Sequence, residues 1–407
     1  MNRTGKTGFY YGYIVVIVAI FILTVIWGTY YSFGVFFESL LVEFGWTRAL
    51  TAGAASLNTL LFGIFCIVTA RLCDRFDPRR VIGACGFILG LGCLLMSRIG
   101  ALWQLYLFWG VIIPIGMSAY IAVLSIVARW FVRRRGMMTG IVFSGMGLGT
   151  VVIPPLASRL ISIYNWRISY IIVGTIGLIL MVLAAQFLRR DPRQIGQLPY
   201  GEVEQESSVS EARGFSLREA IHTRQFWLVC GMYFVFLFCV PLIMVHIVIH
   251  ATGMGISAVN AANILAIVGA LFIVGVNVMG ITGDRLGNKL AFVMSFILMA
   301  IAFLWLLPTR ETWMLYPFAG IFGFAYGGMQ VLFSPIVAEL FGLRSHGVIL
   351  ATSNFAGTIG ATVSPILAGH IFDTTGSYSL AFLICVIIAT VGFILTLLLR
   401  PGSSEGG

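Results

Sequence analysis

Twelve apolar runs, each long enough to cross about 30 Å of hydrocarbon, recur along this chain and leave it few folds to choose from. In lipid a backbone N–H or C=O has no water to bond, so a spanning segment must satisfy its own polar groups as a helix or join a closed barrel. Runs of this length are read as helices. The expected spans are 11–37, 48–70, 79–97, 102–128, 136–160, 166–188, 226–250, 257–283, 289–307, 312–338, 347–371 and 378–399. The first is too long for a signal-peptide core and lacks a small-residue cleavage site, so it is read as retained. With 59% hydrophobic and 10% charged residues, the chain cannot cover a soluble globule of 407 residues with polar surface. The fold class is therefore an all-α membrane protein.

The chain also repeats itself. Asp74-Arg75 and Asp284-Arg285 lie 210 residues apart, each on a short charged loop between two apolar runs. Ala128-Arg129-Trp130-Phe131, ending at Gly136, is echoed by Ala338-Glu339-Leu340-Phe341, ending at Gly347. Eighteen residues after each of those glycines stands a proline, Pro154 and Pro365. Three landmarks in series indicate one module written twice. Six spans per module gives parallel repeats, so the expectation is two six-helix bundles related by a pseudo-two-fold axis along the membrane normal, with a cavity between them. The boundaries follow as 1–188 for the first bundle, 189–225 for a linker and 226–407 for the second bundle and a short tail. Within the linker, Phe215 to Ile221 reads either as a short amphipathic helix capped by Ser216 or as a tether.

The net charge of +10 has a plainer source than an anionic partner. Of 25 Lys and Arg, 20 fall on the side carrying the N-terminus, the Asp-Arg loops, the linker and the C-terminus, leaving Arg48, Arg98, Arg159, Arg167 and Arg310 on the other. The positive-inside rule places both termini in the cytoplasm, and nucleic acid is not an expected partner. The seven cysteines have no metal-ligand spacing and read as packing residues.

Gly140, Gly145, Gly147 and Gly149 do not form a phosphate loop, because no strand precedes them and no Lys-Ser or Lys-Thr follows. They are read as small residues for close helix packing. Pro154-Pro155, Pro241 and Pro365 are expected to kink the fifth, seventh and eleventh helices. No nucleophile elbow or mid-span carboxylate is present, so no enzyme is expected, no cofactor or metal is implied and no catalytic residue is assigned.

An Asp-Arg loop after the second and eighth of twelve spans resembles the signature of the major facilitator superfamily. Tyr11-Gly12-Tyr13, Ser32 to Phe37, Phe44-Gly45-Trp46, the stretch Arg129 to Gly136, and His246 followed by Gly255-Ile256-Ser257 are similar to the monocarboxylate porter and oxalate:formate antiporter branch. The resemblance covers essentially the whole chain and implies alternating access, in which two halves rock about a central site. Asp74, Arg75, Asp284 and Arg285 are then candidates for a conformational switch: such loops can pair with neighbouring helix termini in the outward-facing state and must release when the inside opens. The alternative is that they serve only topology and loop solubility.

The same resemblance sets the cargo problem. Porters of this branch hold a carboxylate with an eighth-span arginine preceded four residues earlier by an aspartate, positions that fall here on Val276 and Phe272. A first-span lysine of animal relatives falls on Tyr31, and the eleventh-span lysine of oxalate carriers falls near Ser353. A mid-membrane charge costs about 2.5–3.5 kcal/mol on insertion scales, so it is kept where it is needed. Its absence disfavours dianions such as oxalate.

The substrate-binding candidates are the polar residues Asn58, Tyr120, Asn277, Tyr326, Gln330 and Asn354, the aromatic Tyr31, Phe272 and Phe355, and the titratable pair His246 and His250. The histidines share one helix face and are the first candidates for carrying a proton if transport is proton-coupled. Each has a structural alternative, as interhelical bonds, packing, or a histidine bonded to a freed carbonyl. The expected function is a secondary carrier of a small organic acid of the lactate and pyruvate kind, with or without a proton. It is expected to work as a monomer in the lipid bilayer of a cytoplasmic membrane, the inner membrane of a bacterium. A carrier of a larger neutral or aromatic compound, such as a siderophore or drug, is the alternative, and a non-transporting receptor on the same fold is a third.

Overall fold

In a computed structural model of the chain, residues 10–131, 135–200, 214–342 and 346–399 are described, apart from the side chains of positions 70, 74, 128, 135, 136, 346 and 347. Twelve helices among them are long and apolar enough to cross a membrane, one for each expected run. They are α1 (Gly12–Phe44), α2 (Arg48–Arg75), α3 (Pro78–Met96), α4 (begun by Leu102–Leu105 and closed by Ala119–Trp130), α5 (Arg135–Ile163) and α6 (Trp166–Phe187). The second set is α7 (Arg224–Gly253), α8 (Ala258–Leu286), α9 (Asn288–Leu306), α10 (Leu315–Phe341), α11 (His346–Thr375) and α12 (Ser379–Leu398). The arrangement is that of the major facilitator fold, two bundles of six. The end where α1 begins and α6 and α7 meet is termed here the linker end, and the opposite one the far end.

Several helices outrun the apolar windows that reveal them, because hydropathy marks the lipid core while hydrogen bonding runs on to a cap. α1 continues to Phe44, where Gly45 at φ +64° gives its N–H to the Leu41 carbonyl and stops the helix. Its 33 residues measure about 50 Å, more than the hydrocarbon layer, so its ends leave the lipid core or the helix tilts. Between α6 and α7, Ser216 caps a single helical turn, Leu217–Ala220, and Glu219 reaches back to the Ser216 N–H at 2.7 Å, a reciprocal capping box. The polar run through residues 201–213 lies outside the described residues.

The prolines do not break their helices: α5, α7 and α11 continue through Pro154-Pro155, Pro241 and Pro365. α4 is different. It contains a wide π turn, Tyr106–Ile112, in which the Ile113 N–H reaches the Phe108 carbonyl five residues back. On that pattern the next donor would serve Trp109, but the next residue is Pro114, which has none. Asn58 of α2 fills the gap, its Nδ2 donating to the Trp109 carbonyl at 2.7 Å.

The two halves meet where α1 faces α7, α2 faces α11 and α5 faces α8. α5 and α8 cross on paired glycines. A Cβ at Gly147 would stand 2.6 Å from the Gly269 carbonyl oxygen, and one at Gly269 would stand 2.6 Å from that of Gly147, so only hydrogen fits at either position. Of the α5 glycines, Gly145 packs on α1 at Ile20 while Gly140 faces open space, so the packing role expected of all four does not extend to Gly140.

Candidate functional site

A cavity of about 1580 Å³ lies between the halves. Its wall runs from mid-helix residues Tyr31, Asn58, Val276, Tyr326 and Ala361 down to Arg71, Met137, Asp284 and Ala338 at the linker end, and includes no residue of the far end. The cavity is thus open toward one end of the protein and closed toward the other.

The closure has two layers. The inner one is aromatic. The hydroxyls of Tyr31 in α1 and Tyr326 in α10 meet at 2.6 Å across the two halves, both side chains buried. Trp27 lies 5.5 Å from Tyr31 and 5.7 Å from both Tyr30 and Tyr120 between ring centroids, and Phe272 lies 4.6 Å from Tyr326. Such edge and tilted ring pairs each add about 0.5–1.5 kcal/mol beyond area burial, which makes this a stiff plug.

The outer layer is polar. Asp373 near the end of α11 accepts the N–H groups of Arg48 at 3.1 Å and Ala49 at 2.9 Å, and Thr47 accepts that of Leu50. Three of the orphan donors that open α2 are therefore satisfied, two of them by a carboxylate from the opposite half that also meets the positive end of the helix dipole. Arg48 lays its guanidinium 3.8 Å from the centre of the Phe372 ring and donates to the Tyr378 hydroxyl at 2.9 Å. Burial pushes that phenol up to about 12, so it stays protonated near neutrality. His246 completes the chain, Nδ1 at 3.0 Å from the Tyr378 hydroxyl and Nε2 at 2.9 Å from the Pro365 carbonyl. A carbonyl only accepts, so Nε2 carries the hydrogen and Nδ1 of the neutral ring accepts from Tyr378. The polarity runs in one direction, from Arg48 through Tyr378 and His246 to Pro365.

Of the eleven substrate-binding candidates, eight line the cavity: Tyr31, Asn58, Tyr120, Asn277, Tyr326, Gln330, Asn354 and Phe355. Three do not. His246 is buried in the far-end network, on a carbonyl of a different helix from its own. His250, one turn on, sits against the rings of Tyr378 and Phe382. Phe272 is buried behind Tyr326. Several of the eight also bond within the protein, Tyr31 and Tyr326 to each other, Asn58 to the Trp109 carbonyl and Asn277 to the Ile273 carbonyl of its own helix at 2.7 Å. Of the four switch candidates, Arg75, Asp284 and Arg285 are exposed, Asp284 on the cavity wall, and the Asp74 side chain lies outside the described residues. Among the described lining residues only Arg71 and Asp284 carry charge, both near the linker end.

Reading helix faces from sequence misses Trp27, Tyr30, Phe62 and Tyr233, which line the cavity, and Arg48, Asp373 and Tyr378, which close it. The aromatic spacing Trp27, Tyr30, Tyr31 on one helix was a usable signal. The Arg48 to Asp373 contact had none, since it joins opposite halves.

The sequence pattern of the Major Facilitator Superfamily matches residues 16–280 and 273–406. The chain is 29% identical to mouse (Mus musculus) monocarboxylate transporter 12 over 330 residues, which is 74% of this chain and 67% of that one. It is 27% identical to bovine (Bos taurus) monocarboxylate transporter 13 over 402 residues, 95% of this chain and 89% of that one. Its fold superposes on the crystal structure of a bacterial homolog of the human lysosomal transporter Spinster, described as inward-facing and unoccupied, with a TM-score of 0.74, 17% identity and 97% of both chains covered.

Proposed function

Because the chain belongs to the major facilitator superfamily, a family of transporters and not of enzymes, we propose that it moves a small organic acid across a cytoplasmic membrane by alternating access, as a monomer. The observation that carries this reading is the cavity between two repeated halves, open at one end and double-sealed at the other. Relatives named as monocarboxylate transporters support the class of cargo. The basic loops support a cytoplasmic linker end, and on that reading the state described is inward-open. The halves, 1–188 and 226–407, rock about the glycine crossing, and the segment between them tethers both. In this state the exposed Asp284 and Arg285 are in the released form of the proposed switch.

Val276 and Phe272 stand where an ion-pairing arginine and aspartate are expected, so the carboxyl end of the substrate is left to neutral groups: the hydroxyls of Tyr31, Tyr120 and Tyr326 and the amides of Gln330 and Asn354. The apolar body of the substrate meets Trp27, Phe62 and Phe355. The size and aromatic wall of the cavity favour one second reading, a carrier of a bulkier neutral or aromatic compound.

Reconstitution into liposomes with labelled lactate, pyruvate, oxalate and a bulky neutral compound separates the readings. Saturable lactate or pyruvate uptake, accelerated by an inward proton gradient and with oxalate excluded, is the expected outcome. Indifference to both acids together with saturable uptake of the bulky compound would replace it.

A further inference from the structure

We infer that the site takes its organic acid in the protonated, uncharged form, so that the substrate itself carries the coupled proton and no side chain of the cavity has to. This rests on the organic-acid reading above. The deep wall carries no charge among its described residues. Its titratable groups are the phenols of Tyr30, Tyr31, Tyr120, Tyr233 and Tyr326 and the thiol of Cys66, all neutral at pH 7 by their ordinary values. Arg71 and Asp284 face the same cavity from α2 and α8 but stand at its linker end. The histidines belong to the far-end closure and contribute nothing to the wall.

A carboxylate entering this wall would lose water without meeting a counter-charge, the least favourable way to bury an ion. The alternative is protonation. For an acid of pKa about 4 at pH 7, the uncharged form is roughly a thousandth of the total, a dilution equivalent to about 4 kcal/mol. Desolvating an unpaired ion costs more than that, so the neutral form is the better ligand even after its scarcity is counted.

The hydrogen-bonding inventory agrees. Two buried polar atoms of wall residues have no partner: Trp27 Nε1, which only donates, and Asn58 Oδ1, which only accepts. The orientation of the Asn58 amide is fixed by its Nδ2, committed to the Trp109 carbonyl, so Oδ1 is necessarily the free atom. A protonated carboxyl offers one acceptor and one donor, the same two kinds of partner that these residues of the wall lack. A carboxylate offers acceptors alone and matches only the Trp27 donor.

The test uses the full chain in liposomes, with protein-free liposomes subtracting passive leak. Propionate, lactate and pyruvate are compared at external pH 5.5 to 7.5 with ethanesulfonate, which stays ionised, and propionamide, which is never charged. Expected is a saturable flux that falls about tenfold per pH unit at fixed total acid below saturation, and for each acid the data at every pH collapse onto one curve when plotted against undissociated concentration. Propionamide should compete and ethanesulfonate should not. A flux insensitive to pH, or competition by ethanesulfonate as strong as that of propionate, overturns the inference while leaving an organic-acid carrier. Absence of saturable acid flux at every pH, with uptake of a bulky neutral compound intact, overturns both. As a second handle, Val276→Arg should admit ethanesulfonate as a competitor and flatten the pH slope. Unaltered selectivity in a folded Val276→Arg protein likewise counts against a charge-free carboxyl site at this depth.

Discussion

The halves of this carrier touch through two kinds of contact. The α5 and α8 crossing is steric and apolar: two glycines bring backbones together, and nothing in it depends on charge, hydration or a particular hydrogen bond. The outer layer of the far-end closure, in contrast, is built from directional bonds, a carboxylate on two helix N–H groups and a relay from Arg48 through Tyr378 to His246. A packed glycine crossing can stay in place while helices tilt about it, whereas a set of short polar bonds is either made or broken. The first is suited to a pivot and the second to a latch.

Filling the pivot should have the largest effect. Gly269→Leu sets a side chain against the Gly147 carbonyl, and overpacking of this kind costs about 1–3 kcal/mol or more. Transport should fall more than tenfold with a lower melting temperature in detergent, and retention of both would show the crossing is not tight in the working protein. Breaking the latch should shift a population without unfolding the protein. Asp373→Ala removes the cap on α2, about 1–2 kcal/mol or roughly a 5–30-fold change in the ratio of inward-open to outward-open molecules. The readout is the distance between spin labels placed at the far ends of α2 and α11, which should lengthen. Six of the seven native cysteines are buried away from the cavity; Cys66 lines it and is replaced before labels are introduced. Tyr378→Phe deletes the hydroxyl shared by Arg48 and His246, worth about 1 kcal/mol, and should move the same distance distribution the same way by less. The smallest effect, and of opposite sign, is expected at the linker end. Asp284→Asn weakens a charge proposed to hold the other state, by about 0.3–1 kcal/mol, and should raise the inward-open fraction slightly in the same measurement. Were Asp284→Asn to open the far end instead, the division between latch and switch would fail.

The same contrast explains what the sequence could disclose. Apolar runs, a duplicated Asp-Arg loop and basic asymmetry follow from the demands of lipid on single segments, and they led to twelve helices in two bundles. Residues that work within one segment were also legible: Tyr31, Asn58, Tyr120 and Gln330 stand on the cavity because polar side chains at mid-span depth have few other places to go. Contacts between segments distant in the chain left no such mark. His246 looked like a cavity proton carrier because it is a titratable group in a span, yet its partners, Tyr378 and Pro365, are more than a hundred residues away and set it in the closure instead. Phe272, aligned where an ion-pairing residue was expected, turned out to support Tyr326 from behind.

The π turn of α4 bears on how such carriers can diverge. Its extra residue is taken up within one wide turn, so deleting one residue from Tyr106–Ile112 would close that turn to ordinary helical spacing and leave Tyr120 on the cavity wall. The length of α4 could thus change by one residue with no change at any residue that faces the substrate.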